Sequence, residues 1–123
     1  MAIQPIKLDH AFDQVHAFWS PHIVGHLNGQ MIKIAKVKGD FIWHSHADED
    51  EAFLVVKGLL HIELKDKTIH LQPGELVVIP KGVPHRPYAE EETHILLFEP
   101  AQTINTGAER HELTRDQLPD LSA

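Results

Sequence analysis

The sequence contains no cysteine. That excludes disulfides, thiolate nucleophiles and zinc sites built on sulfur, so any metal here must be held by nitrogen and oxygen. Positive charge is also scarce: 11 Lys and Arg stand against 18 Asp and Glu, a formal net charge of −7. A chain of that sign repels phosphate backbones, which argues against nucleic acid as a partner. There is no long apolar run, so no segment reads as a membrane span. The opening MAIQPIKLDH lacks the basic-then-apolar layout of a signal peptide, and the expected location is the cytoplasm. Gly-rich phosphate loops, a Ser-His-Asp order and paired-carboxylate patterns are missing as well. Phosphoryl transfer and nucleophilic acyl chemistry therefore have no support.

What is present fits one soluble globular domain: 123 residues, 42% apolar and 24% charged. In LDHAFDQVHAFW, the apolar residues Leu8, Ala11, Phe12, Val15, Phe18 and Trp19 recur at helical spacing. This predicts an amphipathic helix from Leu8 to Trp19, ended by Ser20 and Pro21. Asn28–Gly29 signals a hairpin turn between two strands, and Gly39–Asp40 a second turn before a strand FIWHSH. Within MIKIAKV, Ile32 and Ile34 point one way and Lys33 the other. AFLVVK, LLHIELK, TIHL, ELVVIP and THILLFEP follow as short strands, separated by turn residues at regular intervals. That is the signature of an antiparallel sandwich or barrel, with no helices long enough for parallel crossovers. Residues 1–30 form the helix and first strand, 31–102 the β-barrel, and 103–123 a polar tail that wraps the domain or frays.

Eleven histidines is a high count, and two of them sit in WHSHADEDE, Trp43 to Glu51. On extended chain, Ile42, His44 and His46 share one face while Phe41, Trp43 and Ser45 share the other. Two imidazoles on one face can donate to the same ion. Glu51 is in phase with Phe53 and Val55, so its carboxylate points toward a core, where only a cation would offset the cost of burying it. Asp48, Glu49 and Asp50 read as a solvated turn, and Glu90 to Glu92 as a charged loop after Tyr88. His85 follows Gly82 and lies between Pro84 and Pro87, which stiffen its backbone. That suits a ligand and equally an ordinary loop.

Gly39-x4-His44-x-His46-x4-Glu51-x6-Gly58 resembles the first motif of the cupin superfamily, and Gly74-x5-Pro80-x-Gly82-x2-His85 is similar to the second. The resemblance implies an all-β, antiparallel jelly-roll barrel with a short N-terminal helix. It also implies one divalent transition metal held by His44, His46, Glu51 and His85. Three imidazoles and a carboxylate suit Fe, Mn, Ni, Zn or Cu. Two departures stand out: the gap after Gly39 is one residue shorter than the commonest form, and Ala89 stands where many cupins carry Asn. No specific activity transfers from the motif.

Ile42, Phe53 and Val55 share faces with ligands and are candidate pocket walls, and Arg86 is a candidate for holding a substrate carboxylate. His61 and His70 read as exposed; His94 alternates with Ile95 without a clear direction. The implied function is a metal-dependent enzyme on a small polar or aromatic molecule, of dioxygenase, isomerase, decarboxylase or lyase type. The alternative is a non-catalytic barrel that binds or senses a metal or small ligand. Catalytic residues beyond the metal ligands are not identifiable. Edge strands of an open jelly roll need cover, and the apolar N-terminal segment suits covering an edge or packing across a two-fold axis; the resemblance to small cupins, which are commonly dimers, implies a homodimer.

Overall fold

The computed structural model describes residues 3–122. A short helix α1 (Leu8–Phe12) precedes seven strands: β1 (His22–Leu27), β2 (Gln30–Asp40), β3 (Glu51–Lys57), β4 (Leu60–Glu63), β5 (Thr68–Leu71), β6 (Leu76–Ile79) and β7 (Arg86–Pro100). Every strand pair is antiparallel. Five strands follow one another with β7 at the hub, in the order β1-β2-β7-β3-β6, and β4 joins β5 to the start of β7. The fold is the antiparallel sandwich or barrel that the strand spacing predicts, in the jelly-roll form that the motif resemblance implies. Asn28 and Gly29 both hold positive φ, 49° and 76°, which closes the β1–β2 hairpin as an Asn-Gly turn does.

Strand parity places the core. On β3, Glu51, Phe53 and Val55 are buried while Ala52 and Leu54 are half-buried. Ile95 and Leu97 of β7 and Ala35 and Val37 of β2 complete the same interior cluster. Each buried Val, Leu, Ile or Phe among them contributes about 1.5–3 kcal/mol. The opposite face of β2 is covered too. Ile34 packs under Ala11, Phe12, Val15 and Val24 in a second cluster, so α1 shields the outside of the sheet there.

Four expectations change. The helix stops at Phe12 instead of reaching Trp19. Phe18 forms a parallel bridge with Lys36, Trp19 N–H donates to the Lys36 carbonyl at 2.8 Å, and the Trp19 indole donates to the Lys38 carbonyl at 2.9 Å. Sheet contacts thus replace helical turns in a segment too short to hold a helix alone, yet Ala11, Phe12, Val15 and Trp19 are buried all the same. Gly39–Asp40 does not separate strands; it ends β2 at a register shift opposite β7. FIWHSH is not a regular strand, and His44 alone in it makes a bridge, to His85. Glu90–Glu92 lie inside β7, whose early part pairs with β4 and whose later part pairs with β3.

The tail runs back along β1. Ile23 N–H donates to the Pro119 carbonyl at 2.8 Å, and Leu121 N–H to the Ile23 carbonyl at 2.7 Å. Among the described residues no helix is long and apolar enough to cross a membrane.

Candidate metal centre

Two loops carry the histidines, and backbone bonds zip them together. His44 N–H donates to the His85 carbonyl at 3.0 Å, His85 N–H returns the bond to His44 at 2.9 Å, and Gly82 N–H donates to the His46 carbonyl at 2.7 Å. The remaining member, Glu51, opens β3 and faces the interior in phase with Phe53. The structure brings His44, His46, Glu51 and His85 together: one ligand atom from each lies within 4.8 Å of all the others. All four are buried, at 6%, 3%, 4% and 1% exposure.

The hydrogen bonds around the rings fix their chemistry. His44 Nδ1 meets the Ile42 carbonyl at 2.9 Å, and His85 Nδ1 meets the Val83 carbonyl at 2.9 Å. A carbonyl only accepts, so each Nδ1 carries the hydrogen and each Nε2 turns a lone pair inward. His85 Nε2 lies 3.3 Å from Glu51 Oε1, and His46 Nε2 lies 3.6 Å from the same oxygen. Among the described residues neither ring nitrogen of His46 has a hydrogen-bond partner, although both are buried.

Electrostatics point the same way. Burial, with the neighbouring His85 ring adding to it, pushes His44 down to about 3. Burial likewise lowers His46 and His85. The imidazoles are therefore held neutral, the form that ligates. Burial raises the Glu51 carboxyl, with Glu99 and Lys33 opposing the rise. The donor set, its burial and the unpartnered His46 nitrogens fit a divalent cation.

Beside His44 and Glu51 lies a cavity of about 40 Å³, walled by apolar side chains that include Trp19, Val37, Phe41, Phe53 and Leu97, with Glu99 as a further charged group. Of the four pocket candidates, Phe53 is on this wall and Ile42, Val55 and Arg86 are not. Ile42 is half-buried, and it is Phe41 that faces the cavity, because the irregular chain around His44 breaks the strand alternation. Val55 packs into the core at 1% exposure. Arg86 is turned away, paired with Glu63 and with Asp40 at 3.2 Å.

The remaining histidines sort differently from expectation in one case. His61 is buried at 7% exposure, stacked on Tyr88 with centroids 4.7 Å apart, and its Nδ1 lies 2.6 Å from that of His70 across the β4–β5 pair. His70 is exposed as expected. His94 is half-buried and stacks on Phe12 at 4.5 Å. Asp50 is exposed and caps the Lys81 N–H at 2.9 Å.

Sequence reasoning missed two parts of the site. Lys33 and Glu99 are buried beside Glu51, although Glu99 keeps phase with Ile95 and Leu97 as Glu51 does with Phe53 and Val55. The tail also reaches the histidine loop. Gly107 sits at φ 63°, and a Cβ there would run into the Ser45 carbonyl between the two ligands. No local pattern announces that contact.

Comparisons with known proteins agree with this geometry. A family model described as "Cupin domain" matches residues 31–99. The chain resembles the crystal structure of a cupin-2 domain containing protein from Shewanella frigidimarina NCIMB 400, with 45% identity, a TM-score of 0.76, and coverage of 77% of this chain and 93% of that one. Protein NMB1881 from Neisseria meningitidis is similar at 28% identity and TM-score 0.72, over 80% of this chain and 100% of that one. Among curated proteins, "Uncharacterized protein YdbB" of Bacillus subtilis (strain 168) is 39% identical over 64 residues, 51% of this chain; the match spans 57% of that protein's length.

Proposed function

The chain belongs to the cupin domain family, and on that premise we propose that it is a divalent-metal-dependent enzyme acting on a small polar or aromatic molecule. His44, His46 and His85 through imidazole nitrogen, and Glu51 through its carboxylate, would hold the ion. When bound, such an ion supplies Lewis-acid polarisation of an attached oxygen, or oxygen activation if it is iron. The observation that carries the reading is the buried His46 ring with both nitrogens unpartnered, turned to a carboxylate oxygen 3.6 Å away. The chain's own contribution is threefold. Carbonyls 42 and 83 orient two rings, Glu51 supplies the negative charge, and the walls of Phe41, Phe53 and Trp19 exclude water from one side. Dioxygenase, isomerase, decarboxylase and lyase chemistry all suit this arrangement.

One observation favours the second reading, a barrel that binds without turnover. The cavity of about 40 Å³ is smaller than the roughly 150 Å³ that admits a benzene ring, so an aromatic substrate requires the walls to open. Metal analysis of protein purified without added metal, followed by a turnover panel of diketones, catechols and sugar acids, separates the two. Near-stoichiometric metal with turnover supports the enzyme, and metal without turnover supports the binding barrel.

For assembly, we propose a homodimer. Leu76, Val78 and Val56, at 61%, 52% and 36% exposure, lie on the outer face of β6 and β3. Register sets Leu76 beside Leu54 and Leu96, and Val78 beside Ala52 and Phe98, so two apolar rows cross three strands. A patch of this kind suits a second copy. Light scattering of the wild type and of Leu76→Glu tests it: a dimer that the substitution splits supports the proposal, and a wild-type monomer at micromolar concentration removes it.

A further inference from the structure

Away from the four clustered side chains, the outer face of β4 and its neighbours carries a second set of ligating groups. Register places His61 of β4 directly opposite His70 of β5, and Tyr88 of β7 directly opposite His61 on the other side. Leu60, Ile62 and Leu71 of the same hairpin are buried, so strand alternation turns this row outward. His61 is nonetheless only 7% exposed, because rings hold it on both sides. It stacks on Tyr88 with centroids 4.7 Å apart and meets the His70 ring edge-on, at 4.8 Å and 82°. The Nδ1 atoms of the two imidazoles lie 2.6 Å apart. The other nitrogen of His61, Nε2, lies 3.6 Å from Glu90 Oε1.

Either one hydrogen or one cation can stand between two such nitrogens. Three features favour the cation. The Tyr88 stack fixes the His61 ring before anything binds, and the Glu90 carboxylate stands beside its Nε2, the arrangement that sets the tautomer of a ligating histidine and leaves Nδ1 its lone pair. His70 is exposed on β5, which pairs only with β4 among the described strands, so an ion reaches the pair from solvent. The positive charge on the same face, Arg86 over the Tyr88 ring at 5.2 Å, is already neutralised by Glu63 and Asp40. We propose that His61 and His70 form a second metal site, a two-nitrogen chelate on the outer surface that takes copper(II), with water in its remaining positions. The metal class follows from the bite. At metal–nitrogen bonds of about 2.0 Å, nitrogens about 2.8 Å apart subtend a right angle and nitrogens about 3.3 Å apart a tetrahedral one. A separation of 2.6 Å lies on the right-angle side, which suits tetragonal copper(II) or nickel(II) and not tetrahedral zinc, and of these copper(II) binds nitrogen more tightly. The pair shares no residue with the His44, His46, Glu51 and His85 cluster, so this inference stands apart from the function proposed above.

The test titrates copper(II) into the full, nitrogen-labelled chain. Ring nitrogens of the histidines are followed by long-range proton–nitrogen NMR, and bound copper is counted by equilibrium dialysis. In the wild type the His61 and His70 ring signals are expected to vanish by paramagnetic broadening. His70→Asn keeps an amide N–H for His61 Nδ1 and offers no imidazole. Losing the chelate should weaken copper at this site about a hundredfold, so the variant binds about one equivalent less and its His61 signal survives the same copper concentration. A role confined to the hydrogen bond is retained by Asn. A copper count and a His61 broadening that are the same in His70→Asn as in the wild type therefore overturn the inference and leave the four-residue cluster untouched. A wild type in which copper spares both rings overturns it as well. A wild type that binds one equivalent and loses it in His70→Asn supports the inference and takes copper away from the four-residue cluster. If circular dichroism shows His70→Asn unfolded, His70→Ala, a truncation at an exposed position, carries the same expectations.

Discussion

His85 Nε2 faces Glu51 Oε1 at 3.3 Å with no hydrogen of its own to give, because the ring's hydrogen is on Nδ1 and bound to the Val83 carbonyl. Two lone pairs in buried contact need something positive between them. Burial raises Glu51 in the sense that favours its protonated form, which would supply that positive partner, and a divalent ion would take the proton's place.

Metal binding should therefore release the proton that a raised Glu51 holds, and affinity should rise with pH while that proton is still held. Calorimetry of zinc binding in buffers of different ionisation enthalpy measures the release directly. Enthalpies that do not vary with buffer would contradict the shared proton.

The depressed His44 predicts a second pH effect, in metal-free protein. Its folded value of about 3 lies below the ordinary 6.5, so between these values the unfolded chain binds more protons than the folded one. Stability from this group is thus complete above about 6.5 and is lost as pH falls toward 3, by a few kcal/mol in all. Glu51 and Glu99, raised by burial, work in the opposite sense above their ordinary 4.5. The comparison that isolates His44 is urea denaturation of wild type and His44→Asn across this range in the presence of a chelator. Equal slopes for the two proteins would remove the effect.

Gly107 links the tail to the metal ligands. Gly107→Ala adds a Cβ at φ 63° against the Ser45 carbonyl, between His44 and His46. The expected cost is about 1–3 kcal/mol of stability from backbone strain, together with weaker metal binding as the histidine loop shifts. Thermal melting and zinc competition check the two parts. A variant that loses stability but binds metal like the wild type would uncouple the tail from the site.

The buried Lys33–Glu99 pair, joined at 2.8 Å, makes a stability prediction of its own. Both side chains are 2% exposed, so Lys33→Met leaves a buried carboxylate unpaired and should cost about 3–5 kcal/mol. Lys33→Met/Glu99→Gln should cost less than the single change, since no charge is stranded. Urea midpoints with unchanged slopes read both values, and additive losses would argue that the pair is not coupled.

How much of this could be read from the chain alone follows the range of the forces involved. Parity gave the inward face of β3, and with it Glu51, because strand alternation is local. The Asn28–Gly29 turn is equally local. Parity failed from Phe41 to His46, where the backbone bends to reach the distant His85 loop, joined to it by the bridge at His44 and by the bonds of Phe41 to Pro87 and of Gly82 to His46. It failed again at the N-terminus, where contacts of Phe18 and Trp19 with β2 outweigh helical spacing. Lys33 was assigned only a direction opposite Ile32 and Ile34. With α1 covering the isoleucine face, that direction is the barrel interior, and the ion pair with Glu99 follows from a register that local pattern does not contain. The tail's contact at Gly107 lies furthest from local signals.

The central claim is that His44, His46, Glu51 and His85 hold one ion. Anomalous diffraction at the zinc edge, on crystals of zinc-loaded protein, tests it most directly. The account predicts a single strong peak about 2.0–2.2 Å from an imidazole nitrogen of each histidine and from a Glu51 carboxylate oxygen. A map with no peak among these four side chains, or with zinc bound only elsewhere, would contradict it.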